Sequence, residues 1–182
     1  MWDMSGGWGG RLLGAIAGGV KEYITTEPSE LTFDGLHDMA EDFAGNMDYE
    51  IFKCGSEAYQ PEKEMLDLCF TSPPYFDLEK YSNEPTQSYV KFDTKQAWIE
   101  GFLLPTFKNC YYGLKTGGYM LINIADVKGK HNINLEQETI IIAEKVGFTH
   151  EDTLQLALSN PNLRNNKTNF KYKYEPIYVF KK

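Results

Sequence analysis

Residues 66–75 read Leu66-Asp67-Leu68-Cys69-Phe70-Thr71-Ser72-Pro73-Pro74-Tyr75. The run from Leu66 to Thr71 is apolar enough to predict a buried strand. It stops at Ser72. Pro73 and Pro74 fix φ and remove two N–H donors, so neither a ladder nor a helix continues through them. The strand therefore runs into a stiff elbow with free carbonyls, one hydroxyl and one aromatic face. Such an elbow suits holding a flat molecule by an amino group.

Working outward, strand and helix patterns alternate. Met1 to Met4 leads into Ser5-Gly6-Gly7-Trp8-Gly9-Gly10, and a helix is expected over Arg11 to Ala17. Glu22 to Glu27 is β-prone and is closed by Pro28. Thr32 to Ala44 carries Leu36, Met39, Ala40 and Phe43 at helical spacing, and Met47 to Lys53 predicts a third strand. Residues 76–93 form a polar, aromatic-rich loop. A long helix is expected from Thr94 to Leu114, kinked at Pro105. Tyr119 to Ile124 reads as a buried strand and Leu135 to Val146 as a helix stopped by Gly147. Phe148 to Leu158 and Tyr174 to Phe180 are two more strands, joined by the basic, Asn-rich stretch 159–172.

This alternation predicts an α/β three-layer sandwich with a mostly parallel seven-stranded sheet. The last two strands have no helix between them, so they make a C-terminal antiparallel hairpin. At 182 residues, with 42% hydrophobic and 14% aromatic content, the chain supports one domain with a real core. No apolar run spans a membrane and no signal-peptide pattern opens the chain, so it reads as soluble and cytoplasmic. Cys54, Cys69 and Cys110 have no CxxC spacing, and His37, His131 and His150 are scattered; no metal site is expected. The net charge of −8 disfavours broad binding of this surface to a phosphate backbone.

The glycine cluster sits where a strand hands over to a helix, the place where α/β sheets bind ligands. Gly7 and Gly9 fit the first half of GxGxxG, but Leu12 occupies the third glycine position, and there is no Walker lysine. Glu27 ends the second strand. A carboxylate there can accept from both hydroxyls of a ribose. Cys54-Gly55-Ser56-Glu57 ends the third strand.

The Ser72-Pro73-Pro74-Tyr75 segment resembles the catalytic motif (Asp/Asn/Ser-Pro-Pro-Tyr/Phe/Trp) of the DNA amino-methyltransferases. These transfer a methyl group from S-adenosylmethionine to cytosine N4 or adenine N6. Their cofactor motif, Asp-Pro-Phe-x-Gly-x-Gly, is matched by Asp3, Gly7 and Gly9; Met4 and Ser5 replace the Pro and Phe. The resemblance implies the Rossmann-like methyltransferase fold and S-adenosyl-L-methionine as cofactor. It implies a cofactor site built from Asp3, Ser5, Gly6, Gly7, Gly9 and Glu27, with Asp3 near the ammonium and Ser56 or Glu57 at the adenine amino group. It also implies a flipped-out DNA base held by Ser72 Oγ and the Pro73 carbonyl, with Pro74 stiffening the elbow and Tyr75 stacking on the base. Ser72 is compatible with either base.

Tyr81, with Phe76, Tyr89 and Phe92, offers faces for bases or a lid, or packs its own loop. Arg164, Lys167 and Lys171 are candidates for phosphate contacts, against the reading of a polar hairpin tip. Family members with this motif order carry a target-recognition domain between the motifs or after them, and usually a cofactor-packing segment upstream. Neither is recognisable here, so the expectation is a catalytic core served by a second subunit or domain. RNA-base or protein-amide methylation, or a non-catalytic subunit with this fold, are the alternatives.

Overall fold

The Leu66–Thr71 segment is strand β4, and Trp2–Asp3 (β1) lies beside it in parallel, with Trp2 opposite Cys69. The computed structural model describes residues 1–76, 79–126, 134–158 and 173–182. On the other side of β1 come Glu22–Thr26 (β2) and Asp48–Phe52 (β3), both parallel. Leu114–Asn123 (β5) pairs in parallel with β4. The hairpin of Thr149–Leu158 (β6) and Lys173–Lys181 (β7) completes the sheet, with β7 antiparallel to both β5 and β6. The spatial order is β3-β2-β1-β4-β5-β7-β6. The chain thus builds outward from β1 in one direction, then returns and builds in the other.

Alternate side chains of a strand point to opposite faces, and β2 shows what each face receives. Tyr23 packs with Leu12 and Ala15 of Gly10–Ala17 (α1) and with Leu36 and Ala40 of Glu30–Phe43 (α2). Ile24 joins the larger cluster, with Phe107 and Cys110 of Leu104–Gly113 (α5) and Ile142 and Ala143 of Leu135–Val146 (α6). Helices therefore cover both faces, as the alternating pattern requires. Trp2, Trp98 and Phe107 are at most 1% exposed, each worth about 1.5–3 kcal/mol of burial. Gly147 ends α6 at φ 121°, as its position predicted.

Three expectations are corrected. The single helix from 94 to 114 is Lys95–Trp98 (α4), a π-helical turn at Ile99–Leu103, and α5. The break lies upstream of Pro105, which falls in the first turn of α5, where a missing N–H costs least. The strand expected from Tyr119 begins at Leu114 instead; Gly117 at φ 84° and a register shift opposite β4 absorb the irregular start. The loop 76–93 contains a short helix, Ser88–Lys91 (α3).

Candidate active site

The reversal of strand order falls between β1 and β4, and a cavity of about 350 Å³ opens at the carboxyl ends of β1, β2 and β4. The loop from Ser5 to Gly10 leaves β1 and turns into α1. Gly7 at φ 54° and Gly9 at φ 80° sit in the left-handed region, which a glycine enters without penalty. A Cβ on Gly9 would lie 2.5 Å from Met39 Sδ, and one on Gly6 2.7 Å from Leu36 Cδ1. Small residues thus let the loop settle on α2, with Ser5, Gly6, Gly7 and Gly10 in the cavity wall.

Glu27 lies just past β2 and lines the same cavity. Its Oε2 accepts from the Gly7 N–H at 3.0 Å and its Oε1 from the Ser29 N–H at 2.9 Å. One carboxylate therefore ties the glycine loop to the start of α2, and each oxygen keeps a further lone pair. Burial pushes its pKa up; the two N–H donors pull it back.

Asp3 is fully buried at the end of β1 and lies outside the cavity wall. Its partners are Arg11 Nε at 2.9 Å, the Tyr23 hydroxyl at 2.8 Å and the Ser5 N–H at 3.2 Å. Burial raises its pKa, and Arg11 and Tyr23 oppose that shift. Asp3 thus holds Arg11, which lines the cavity and also donates to the Ser5 carbonyl.

Gly55, Ser56 and Glu57 come just after β3 and form another part of the wall. Ser56 Oγ is buried and hydrogen-bonded to Thr106 Oγ1 at 2.8 Å. The Glu57 carboxylate is ion-paired with Lys91 of α3. Ser72 and Pro74 of the elbow line the cavity from the β4 side. Pro73 is buried and Tyr75 half-buried, both outside that wall. The Tyr75 hydroxyl accepts from the Ala125 N–H at 3.2 Å, just after β5. Burial, with Glu175 nearby, pushes its pKa up to about 12, so the phenol stays protonated. Phe76, the next residue, is at φ 52° and packs edge-on against Trp98. An aromatic residue there is strained, and strain of this kind clusters at working sites. Tyr81 lines the cavity and is exposed on its other side.

The family model described as DNA methylase matches residues 66–182, from the first residue of β4 to Lys182, elbow included. The chain belongs to the DNA methylase family. Among curated proteins, the Type II beta methyltransferase M.BslI of Bacillus sp. (strain NEB-606) is 27% identical over 150 residues. That alignment takes in 69% of this chain but 16% of the relative, so the chain spans a small part of that protein's length. Solved structures share the fold. An S-adenosylmethionine-dependent methyltransferase from Mesorhizobium loti superposes with a TM-score of 0.62 at 10% identity, covering 100% of this chain and 90% of that one. One from Aquifex aeolicus gives 0.62 at 14% identity, covering 100% and 81%.

Ser5, Gly6, Gly7, Gly10, Glu27, Ser56, Glu57, Ser72, Pro74 and Tyr81 share one cavity, although up to 76 positions separate them in the chain. Asp3, Gly9, Pro73 and Tyr75 lie outside its wall. Arg164, Lys167 and Lys171 lie outside the described residues. Sequence reasoning missed Arg11, Trp8, Gln87 and Ser88, all in the wall. Arg11 carried a signal, as the one charge in an otherwise apolar helix beside the glycines. The others carried none, because a loop distant in sequence brings two of them into place.

Proposed function

We propose that this chain is the catalytic core of an S-adenosylmethionine-dependent enzyme that methylates an exocyclic amino group of a DNA base, cytosine N4 or adenine N6. One observation carries the reading. The diproline elbow and the glycine–Glu27 site open into the same cavity, so a methyl donor and an amino acceptor can meet there.

The residues fit such a donor. A volume of about 350 Å³ is in the range of small-molecule sites. Glu27 has lone pairs left for two vicinal hydroxyls, and the glycine loop lets a ligand approach backbone closely. S-adenosylmethionine, when bound, supplies a methyl group already activated on a sulfonium.

The chain's own residues then have two tasks. An exocyclic amino group is a poor nucleophile because its lone pair is delocalised into the ring. Ser72 Oγ and the Pro73 carbonyl accept its two hydrogens, which pulls the nitrogen toward a pyramidal geometry and frees the lone pair. The fixed elbow aligns that lone pair; positioning, more than strong base catalysis, lowers the barrier. Tyr75, anchored through its hydroxyl, gives the flipped base a face that does not swing. With a net charge of −8, the grip on the duplex needs a local basic patch, a further domain or a second subunit.

The test is to incubate purified chain with genomic DNA and methyl-labelled S-adenosylmethionine, then digest to nucleosides for mass spectrometry. Labelled N4-methylcytosine or N6-methyladenine is the expected product. Label that appears only in RNA or protein substrates defeats the proposal.

A further inference from the structure

β6 is the outermost strand of the sheet. β7 pairs with one side of it, and no strand of the described residues pairs with the other. The N–H and C=O groups on that outer side therefore have no ladder partner among the described residues. Eight of the ten residues of β6 are exposed, so the edge is open along most of its length.

Sheets guard such an edge with charge, proline or a bulge. In β6 these devices stop early. Glu151 and Asp152 are charged, and the register shifts between His150 and Asp152. From Thr153 to Leu158 the strand reads Thr-Leu-Gln-Leu-Ala-Leu, with no charge, proline or glycine. A short, uncharged, alternating segment is the kind that recruits another strand.

Alternation sorts its side chains. Leu154 lies opposite Ile177, and Thr153 opposite Tyr178. Tyr178 packs in the core with Ile142 and Ala143 of α6, so Thr153, Gln155 and Ala157 share the α6 face. Leu154 and Leu156 lie on the other face, 46% and 42% exposed. There they extend an apolar patch made with Ile177, Val179 and Leu121, none of which belongs to either core cluster.

The segment matches itself. Turned antiparallel about a two-fold axis at Gln155, Leu154 of one copy faces Leu156 of the other, and Thr153 faces Ala157. Gln155 faces Gln155, and each carboxamide offers both a donor and an acceptor. Asp152 meets Leu158 and stays roughly 20 Å along the strand from Asp152 of the other copy, so these carboxylates do not repel.

We propose that β6 pairs with β6 of a second copy of this chain, antiparallel about a two-fold axis at Gln155, joining two seven-stranded sheets into one. The pairing supplies the missing ladder and sets two leucines from each copy side by side. One strand pair makes a small interface, so association depends on concentration, with a dissociation constant of about 1–100 μM. It is independent of what the cavity binds.

The experiment is sedimentation velocity on the full chain from about 1 to 300 μM, and on Gln155→Lys and Gln155→Glu, alone and mixed. The unaltered chain passes from monomer to dimer over this range. Each variant alone stays monomeric, because the axis sets like charges directly opposite. Mixed in equal amounts, the two variants pair again. In the unaltered chain, the outward amides among residues 153–157 exchange hydrogen roughly threefold more slowly, or slower still, at the top of the range than at the bottom. A chain that stays monomeric throughout overturns the proposal. A dimer that survives both single substitutions also does, since its contact lies elsewhere, and so does a mixture of folded variants that fails to pair. Amide exchange that ignores concentration overturns it whether or not the variants fold.

Discussion

Glu27→Gln probes the joint between the glycine loop and α2. The carboxylate accepts the Gly7 N–H at 3.0 Å and the Ser29 N–H at 2.9 Å. Glutamine keeps the volume but offers one oxygen, so its NH₂ must face one of these donors. A buried donor without an acceptor costs about 1–3 kcal/mol. Part of this is offset, because burial disfavours the charged form of Glu27 and the amide escapes that penalty. A net loss of about 1–2 kcal/mol lowers Tm by about 2–8 °C in a chain of this size. Ligand binding suffers more. The ribose loses a charged acceptor, worth about 1.5–3 kcal/mol, or roughly a 10- to 150-fold loss of affinity for S-adenosylhomocysteine. Differential scanning calorimetry reads the first effect and isothermal titration the second. A variant with unchanged Tm whose affinity stays within twofold would refute the bridging and ribose roles alike.

The same geometry sets further expectations. Because burial raises the Glu27 pKa, affinity for S-adenosylhomocysteine should begin to fall on acidification at a pH above the ordinary glutamate titration. The folded chain binds that proton more readily than the unfolded one, so the Glu27 contribution to stability is full below the ordinary value and lost as pH rises through the raised one. Affinity profiles that coincide for the unaltered chain and Glu27→Gln would count against this. Ser72→Ala should slow methyl transfer by about threefold to tenfold, the worth of one hydrogen bond, with S-adenosylhomocysteine binding unchanged; equal rates in a filter-binding assay speak against the acceptor role. Gly9→Ala puts a side chain at φ 80° with its Cβ 2.5 Å from Met39 Sδ, and should lose about 1–3 kcal/mol in urea denaturation. An unmoved midpoint would show that the loop has room to spare.

The legible parts of this protein are those whose physics is local. Pro73 and Pro74 announce their elbow wherever they occur, and Glu27 at a strand end announces a carboxylate beside the glycine loop, where it lines the cavity. The alternation of strands and helices was enough for the layer order, because each crossover leaves its own period in the sequence. What escaped reading depends on distant partners. The partner of the Ser56 hydroxyl in the cavity wall, Thr106, comes from fifty positions on. Asp3 looks like a cofactor contact until Arg11 and Tyr23 close around it. The π turn before Pro105 is a compromise between one missing N–H and a continuous buried face. No periodicity encodes that outcome.

The position of β7 has a consequence for biosynthesis. It is made after β6 but lies inside it, contributing Tyr178 and Phe180 to the core. On the ribosome, β6 emerges with no strand to dock on, since β5 is reserved for a neighbour not yet translated. β6 therefore waits for this later-made strand, and a nascent chain stalled before residue 173 would expose an open β5 edge to chaperones and to other copies of itself.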